Sequence, residues 1–207
     1  KFTYKSVKVV KKYIGIIYFI NIIILLYVNF SGTSALGAQR WLSFAGLNVQ
    51  PSEFAKITLI FVLASILDRK IFSDISNLAK PLLVSFVPWI LVFIQPDLGT
   101  SLVFGAILLG MLYWAGMPFE WAFIILATSI TGLLAYLYQI GLFIWIPIIC
   151  FLSYKSLPNQ KKLLTFFVVF VHLLIAKISP WIWDSVLRDY QRDRLILFLN
   201  PSQDPLG

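Results

Sequence analysis

YIGIIYFINIIILLYVNF, Tyr13 to Phe30, runs eighteen residues without a charged side chain. A helix needs about 20 mostly apolar residues to cross the hydrocarbon core of a bilayer. Six further segments of the same character follow, at 52–67, 81–95, 100–116, 121–138, 140–154 and 163–180. The 207-residue chain is 59% hydrophobic and only 13% charged, whereas soluble domains carry about 25% charged residues. These numbers specify an all-α fold, a polytopic integral membrane helical bundle with about seven transmembrane segments. The segments at 81–95 and 140–154 are short, so each is either tilted or partly re-entrant. No repeat of 20–50 residues stands out. We read residues 1–207 as a single transmembrane domain, with about 181–207 forming the start of an extracytoplasmic loop. The chain begins at Lys1 and stops in a polar Pro/Asp/Gly segment, which reads as a piece of a longer protein.

The net charge of +8 would suggest nucleic acid in a soluble protein. Here the lysines cluster in short loops, which is an orientation signal. Lys5, Lys8, Lys11 and Lys12 precede the first segment. Arg69, Lys70 and Lys80 lie between the second and third, and Lys155, Lys161 and Lys162 between the sixth and seventh. With seven spans all three groups fall on the cytoplasmic side. The 31–50 loop, the Gln95–Thr100 turn and the tail after Pro180 then face outward. In that tail Trp181 and Trp183 suit a membrane interface, and Leu187, Tyr190, Arg194, Leu197 and Phe198 share one side of an interfacial helix.

Ionisable groups at membrane helices are costly and so mark functional candidates. The segment GAQRWLSFAGLNVQPSEFAK, Gly37 to Lys56, passes from a polar loop into an apolar helix and carries Glu53 and Lys56 with it. Pro51 suits a first helical position. Glu53 then falls in the first turn, where the helix dipole favours an anion, and Lys56 lies within its reach three residues on. The pair either pins the helix end or lines a polar pocket under the outer surface. Gln95-Pro96-Asp97 repeats the device, a Gln before a Pro and an acid after it. Asp97 reads either as an N-terminal cap or, with Glu53, as a lining of one outer cavity. Arg40, in the loop, offers the planar donors that suit phosphate or pyrophosphate. His172 lies mid-segment and reads as a helix–helix hydrogen bond, with a proton relay as the alternative. Cys150, alone in an apolar run, reads as a packing residue. Pro88, Pro118 and Pro147 read as kinks or loop starts.

Four separated motifs, GAQRWL at 37–42, QPSEFAK at 50–56, QPDLGTS at 95–101 and YQRDRLILFLNPSQDPLG at 190–207, resemble in order those of the SEDS family, the RodA, FtsW and SpoVE proteins of bacterial cell-wall synthesis. Gln39 before Arg40, with the FLNPSQDPLG ending, looks more like the RodA branch. The resemblance implies a peptidoglycan glycosyltransferase of the bacterial plasma membrane, serving cell elongation and rod shape. Its substrate would be lipid II, an undecaprenyl-pyrophosphate disaccharide pentapeptide, and its partner a class B penicillin-binding protein. Such chemistry needs a base on the acceptor hydroxyl and cations on the leaving pyrophosphate. Arg40 and Lys56 are the candidate cations, and Glu53, Asp97 and Asp204 complete the candidate substrate-binding set. No metal ligand is assigned, and a divalent cation is the one cofactor left open. The resemblance also implies about ten spans, with this chain starting near the third, an additional hairpin at about 121–154, and a catalytic base in a Pro-Glu-x-His-Thr-Asp-Phe stretch beyond Gly207. The catalytic residue is therefore unassigned in this chain.

Two other functions are open to such a sequence. A lipid II flippase would bind near the midplane on broken helices, whereas these polar motifs gather toward one face. A catalytically incomplete, partner-binding fragment is the third reading. The orientation has a direct test. A cysteine replacing Ser43 should react with a membrane-impermeant maleimide from outside the cell, and labelling only from the cytoplasm would overturn the topology.

Overall fold

The computed structural model describes residues 2–31, 33–35, 38–44, 47–68, 75–95, 97–157, 161–187, 189, 191–193 and 196. Its contacts divide the chain into two compact units, Lys1–Gly116 and Met117–Gly207. Helix dominates because hydrocarbon offers no partner to a backbone N–H or C=O, and a helix satisfies both within itself.

In the first unit the helices are α1 (Phe2–Ser31), α2 (Pro51–Leu67), α3 (Ala79–Ile94) and α4 (Leu98–Trp114), with a short 3₁₀ turn at Ile75–Leu78. α1 begins well ahead of the expected Tyr13, because the lysine-bearing stretch continues the same helix. Its 30 residues span about 45 Å, more than the ~30 Å hydrocarbon core. Polar contacts fix the directions. Lys11 of α1 pairs with Asp68, just past the end of α2. Asn21 donates to Thr58 Oγ1 at 3.1 Å, so α1 and α2 run antiparallel. Tyr18 donates to the Val84 carbonyl at 2.8 Å and Gln95 to the Leu25 carbonyl at 3.2 Å, so α1 and α3 run parallel. α3 is one continuous helix of 16 residues with Pro88 inside it.

The segment read as a polar loop between the first two spans contains a small sheet. Strands β1 (Thr33–Ala35), β2 (Ala38–Phe44) and β3 (Leu47–Val49) pair antiparallel in sequence order. β2 packs against α1 and α2, at the end of the unit that also holds Gln95 and the start of α2.

In the second unit α5 (Phe119–Leu137), α6 (Leu142–Ser156) and α7 (Lys161–Trp181) follow one another, with a 3₁₀ turn at Gln139–Gly141. Trp121 Nε1 donates to the Ser156 carbonyl at 3.2 Å, setting α5 and α6 antiparallel. His172 does form the expected helix–helix contact. Its Nδ1 lies 2.6 Å from Thr131 Oγ1, and the same oxygen accepts from Trp145 Nε1 at 2.9 Å. The Thr131 hydroxyl lies 2.8 Å from the Ala127 carbonyl, to which it donates. One hydroxyl thus joins all three helices. Ser179 donates to the Gly132 carbonyl at 2.7 Å, and the Tyr136 and Trp183 rings stack at 4.3 Å, so α5 and α7 run parallel.

Lys11–Phe30, Phe119–Leu137, Gln139–Ser156 and Lys161–Val186 are long and apolar enough to cross a membrane, and Ala79–Ile94 and Gly99–Trp114 are shorter apolar helices. The chain is a multi-pass, helical membrane protein. Three expectations change in detail. α7 runs through Pro180 and continues as a π-helical turn at Ile182–Val186, closed by the Leu187 N–H on the Ile182 carbonyl. Trp183 is buried against Tyr136 and is not an interface anchor, while Trp181 remains exposed. Cys150 is exposed on α6, not packed inside. Of the expected interfacial helix, Tyr190, Arg194, Leu197 and Phe198 lie outside the described residues, and Asp189 pairs with Arg192 one turn on.

Glycine use separates packing from permissiveness. A Cβ on Gly105 would meet the Trp89 ring at 2.9 Å, whereas one on Gly110 would meet nothing within 4 Å. Gly105→Ala should therefore destabilise the folded protein by about 1–3 kcal/mol through overpacking. Gly110→Ala should be neutral or stabilising by up to about 1 kcal/mol from helix propensity. Unfolding in mixed micelles checks both, and equal effects would refute the Gly105–Trp89 contact.

Candidate functional site

Gln50 is the N-cap of α2, in extended backbone, and Pro51 opens the helix where a missing N–H costs nothing. The Gln50 carbonyl accepts from the Glu53 N–H at 3.1 Å, completing the first turn. Glu53 Oε1 lies 2.8 Å from Lys56 Nζ, an i,i+3 ion pair with side chains 53% and 20% exposed respectively. Glu53 is open to its surroundings, while the Lys56 side chain is largely covered and its ammonium reaches the open carboxylate.

The second Gln-Pro junction is built differently. Gln95 ends α3, its N–H bonded to the Val92 carbonyl at 3.1 Å, and its side chain is buried. That side chain donates to the Leu25 carbonyl, whose second lone pair is free of the helix ladder. Asp97 is the N-cap of α4. Oδ1 accepts from the Thr100 N–H at 3.1 Å, and Oδ2 accepts from Gln50 Nε2 at 3.2 Å. The carboxylate is only 5% exposed.

The two junctions therefore meet, through Gln50 and Asp97, at one end of the first unit. Asp97 has the capping geometry, and its oxygens face protein donors. Arg40 is placed on β2 by its backbone, in the sheet packed on α1 and α2, and its side chain lies outside the described residues. Asp204 also lies outside them. Gln50 and Gln95 were read only as companions of the prolines, yet they carry the cross-helix bonds. Asn21 and Thr58 carry no motif that marks them in the sequence. A polar residue inside an apolar run was the available signal, since such groups bridge helices.

A family profile described as a cell cycle protein, that of FtsW, RodA and SpoVE, matches residues 2–167. The chain belongs to this family. It is 29% identical over 192 residues to the peptidoglycan glycosyltransferase MrdB of Escherichia coli K12, covering 92% of this chain and 40% of that protein. It is 30% identical over 220 residues to the peptidoglycan glycosyltransferase RodA of Treponema pallidum, covering 89% of this chain and 49% of the relative. A probable FtsW of Haemophilus influenzae is 42% identical, over only 48% of this chain and 26% of its own length. The chain thus spans less than half the length of these curated relatives. Among solved structures, a chain from a peptidoglycan synthase complex superposes with a TM-score of 0.59 at 24% identity, covering 97% of this chain and 46% of that one. The Thermus thermophilus rod shape determining protein RodA gives 0.51 at 21% identity, covering 81% and 64%. Both share the fold.

The open carboxylate makes the Glu53–Lys56 pair a weak contributor to stability. A double-mutant cycle with Glu53→Lys and Lys56→Glu, read on unfolding free energy, should give a coupling of only about 0.2–0.5 kcal/mol. Zero coupling would retire the pair.

Proposed function

We propose that the protein to which this chain belongs is a peptidoglycan glycosyltransferase that polymerises lipid II at the outer face of the bacterial plasma membrane. The observation carrying this reading is the convergence of both acid-bearing helix starts, Glu53–Lys56 and Gln50–Asp97, at one end of the first unit, in a chain of the FtsW/RodA/SpoVE family. The peptidoglycan glycosyltransferase names of its long-range relatives support it.

The chemistry follows from the groups present. Attack by an acceptor sugar hydroxyl on the donor's anomeric carbon breaks the bond to an undecaprenyl pyrophosphate, and negative charge grows on that leaving group. A fixed cation there lowers the barrier more than the ground state. Lys56 supplies a point charge, and Glu53 holds it in place without burying it. Arg40 supplies a planar fork that can hold two pyrophosphate oxygens at once. Asp204 is kept as a further proposed substrate-binding residue on the family resemblance alone. We assign the base that takes the acceptor proton to no residue of this chain. A class B penicillin-binding protein is the proposed crosslinking partner, consistent with the synthase complex among the structural neighbours.

The decisive experiment is lipid II polymerisation by the purified full-length parent, with its cognate penicillin-binding protein disabled for its own chemistry. Glycan strands are expected, and their absence would reject the reading. Within that assay Arg40→Ala should lower turnover about a hundredfold. Arg40→Lys should fall between parent and Ala, because it keeps the charge and loses the fork. Parental rates for both, corrected for folded protein, would remove Arg40 from the site.

A further inference from the structure

Glutamine is not among the preferred N-cap residues, which are Asn, Asp, Ser and Thr. Gln50 nevertheless occupies the N-cap of α2, and its side chain makes no bond to its own helix. Its amide reaches instead to Asp97 Oδ2 at 3.2 Å, across a sequence separation of 47 residues. Asp97 holds the start of α4 with its other oxygen. A nearly buried carboxylate therefore bridges the first residues of two helices. Meanwhile the Gln50 carbonyl closes the turn that carries Glu53, and Lys56 follows three residues on. Ser52, also in this turn, is buried, and its Oγ has no hydrogen-bond partner among the described residues. Its hydroxyl adds no second anchor there.

We propose that Gln50 is a positioning residue: by donating to Asp97 it sets the start of α2 against the start of α4, and so places the Lys56 ammonium. The effect on turnover rests on the glycosyltransferase reading, whereas the geometric effect does not. The amide is the group required. Gln50→Leu leaves Asp97 Oδ2 without this donor. Gln50→Glu sets two carboxylates against each other. Combining Gln50→Glu with Asp97→Asn reverses donor and acceptor and restores one bond. The amide introduced at position 97 remains a good cap for α4.

The test uses the full-length parent with Cys150→Ser and spin labels on Val49→Cys and Gly99→Cys. Val49 is exposed, and a side chain at Gly99 meets nothing within 4 Å. The unsubstituted pair should give one narrow distance distribution. Gln50→Leu and Gln50→Glu should shift or broaden it, and Gln50→Glu with Asp97→Asn should restore it. In the lipid II assay the two single variants should lower kcat about tenfold with a smaller change in KM, and the reversed pair should recover most of that loss. In a Lys56→Ala background Gln50→Leu should cost little more. An unchanged distance distribution in both single variants overturns the proposal, as does full additivity with Lys56→Ala. If Gln50→Leu does not fold, Gln50→Ala, which removes the donor without adding an apolar bulk, gives the same distance readout. A parent that makes no glycan would reject the glycosyltransferase reading and leave the distance result to decide the brace.

Discussion

The bilayer offers no hydrogen bonds, and the placement of polar side chains in this chain answers to that. Apolar packing alone does not choose helix neighbours well, because lipid tails are as apolar as leucine. Polar bonds do choose. Asn21 selects Thr58, Tyr18 selects the Val84 carbonyl, and Gln95 selects the Leu25 carbonyl. In the second unit the Thr131 hydroxyl gathers His172 and Trp145. Each such bond contributes only about 0.6 kcal/mol on average in a membrane, but each is satisfied by one neighbour and one register. Their value lies in specifying the arrangement more than in its total stability.

The helices were legible because their signal is length and apolarity, which needs no partner. From the second segment onward, expected segments and observed helices agree to within a few residues, from 52–67 against Pro51–Leu67 to 163–180 against Lys161–Trp181, while the first, 13–30, falls inside the longer Phe2–Ser31. The sheet at Thr33–Val49 was not legible. Its strands have three to seven residues, Ala38–Phe44 shows no clean alternation, and the two-residue links Leu36-Gly37 and Ala45-Gly46 are weaker hairpin signals than Asn-Gly or Asp-Gly. Trp183 was misplaced for a different reason. A tryptophan at a helix end looks the same in sequence whether it faces headgroups or stacks on a tyrosine.

At the candidate site, local chemistry was readable and long-range chemistry was not. Pro51, Glu53 and Lys56 lie within one helix, so the turn geometry dictates their relation. Asp97 was readable as a cap because a cap bonds three residues ahead. That Gln50 would meet Asp97 required knowing that α2 and α4 start at the same end and side by side. Alternating spans give the first half of that statement. Only packing gives the second.

The position of polar groups along the helices also weighs on what the site can do. A carrier that moves a charged headgroup across the membrane needs a polar site near the midplane, typically at broken helices. In the first unit the Glu53–Lys56 pair and both Gln-Pro junctions lie at helix ends, and the deeper side-chain bonds from Asn21 to Thr58 and from Tyr18 to the Val84 carbonyl are neutral. In the second unit the deep His172 is 1% exposed; its Nδ1 contacts Thr131, and its Nε2 is buried without a hydrogen-bond partner among the described residues. The groove of about 480 Å³ between α5, α6 and α7 is apolar apart from Gln139, which suits hydrocarbon and not a pyrophosphate. The Glu53–Lys56 pair at the start of α2, with apolar surface beneath it, is compatible with the proposed substrate, whose headgroup would react in water while its chain stays in lipid. That distribution supports the proposed interfacial transferase over the flippase alternative.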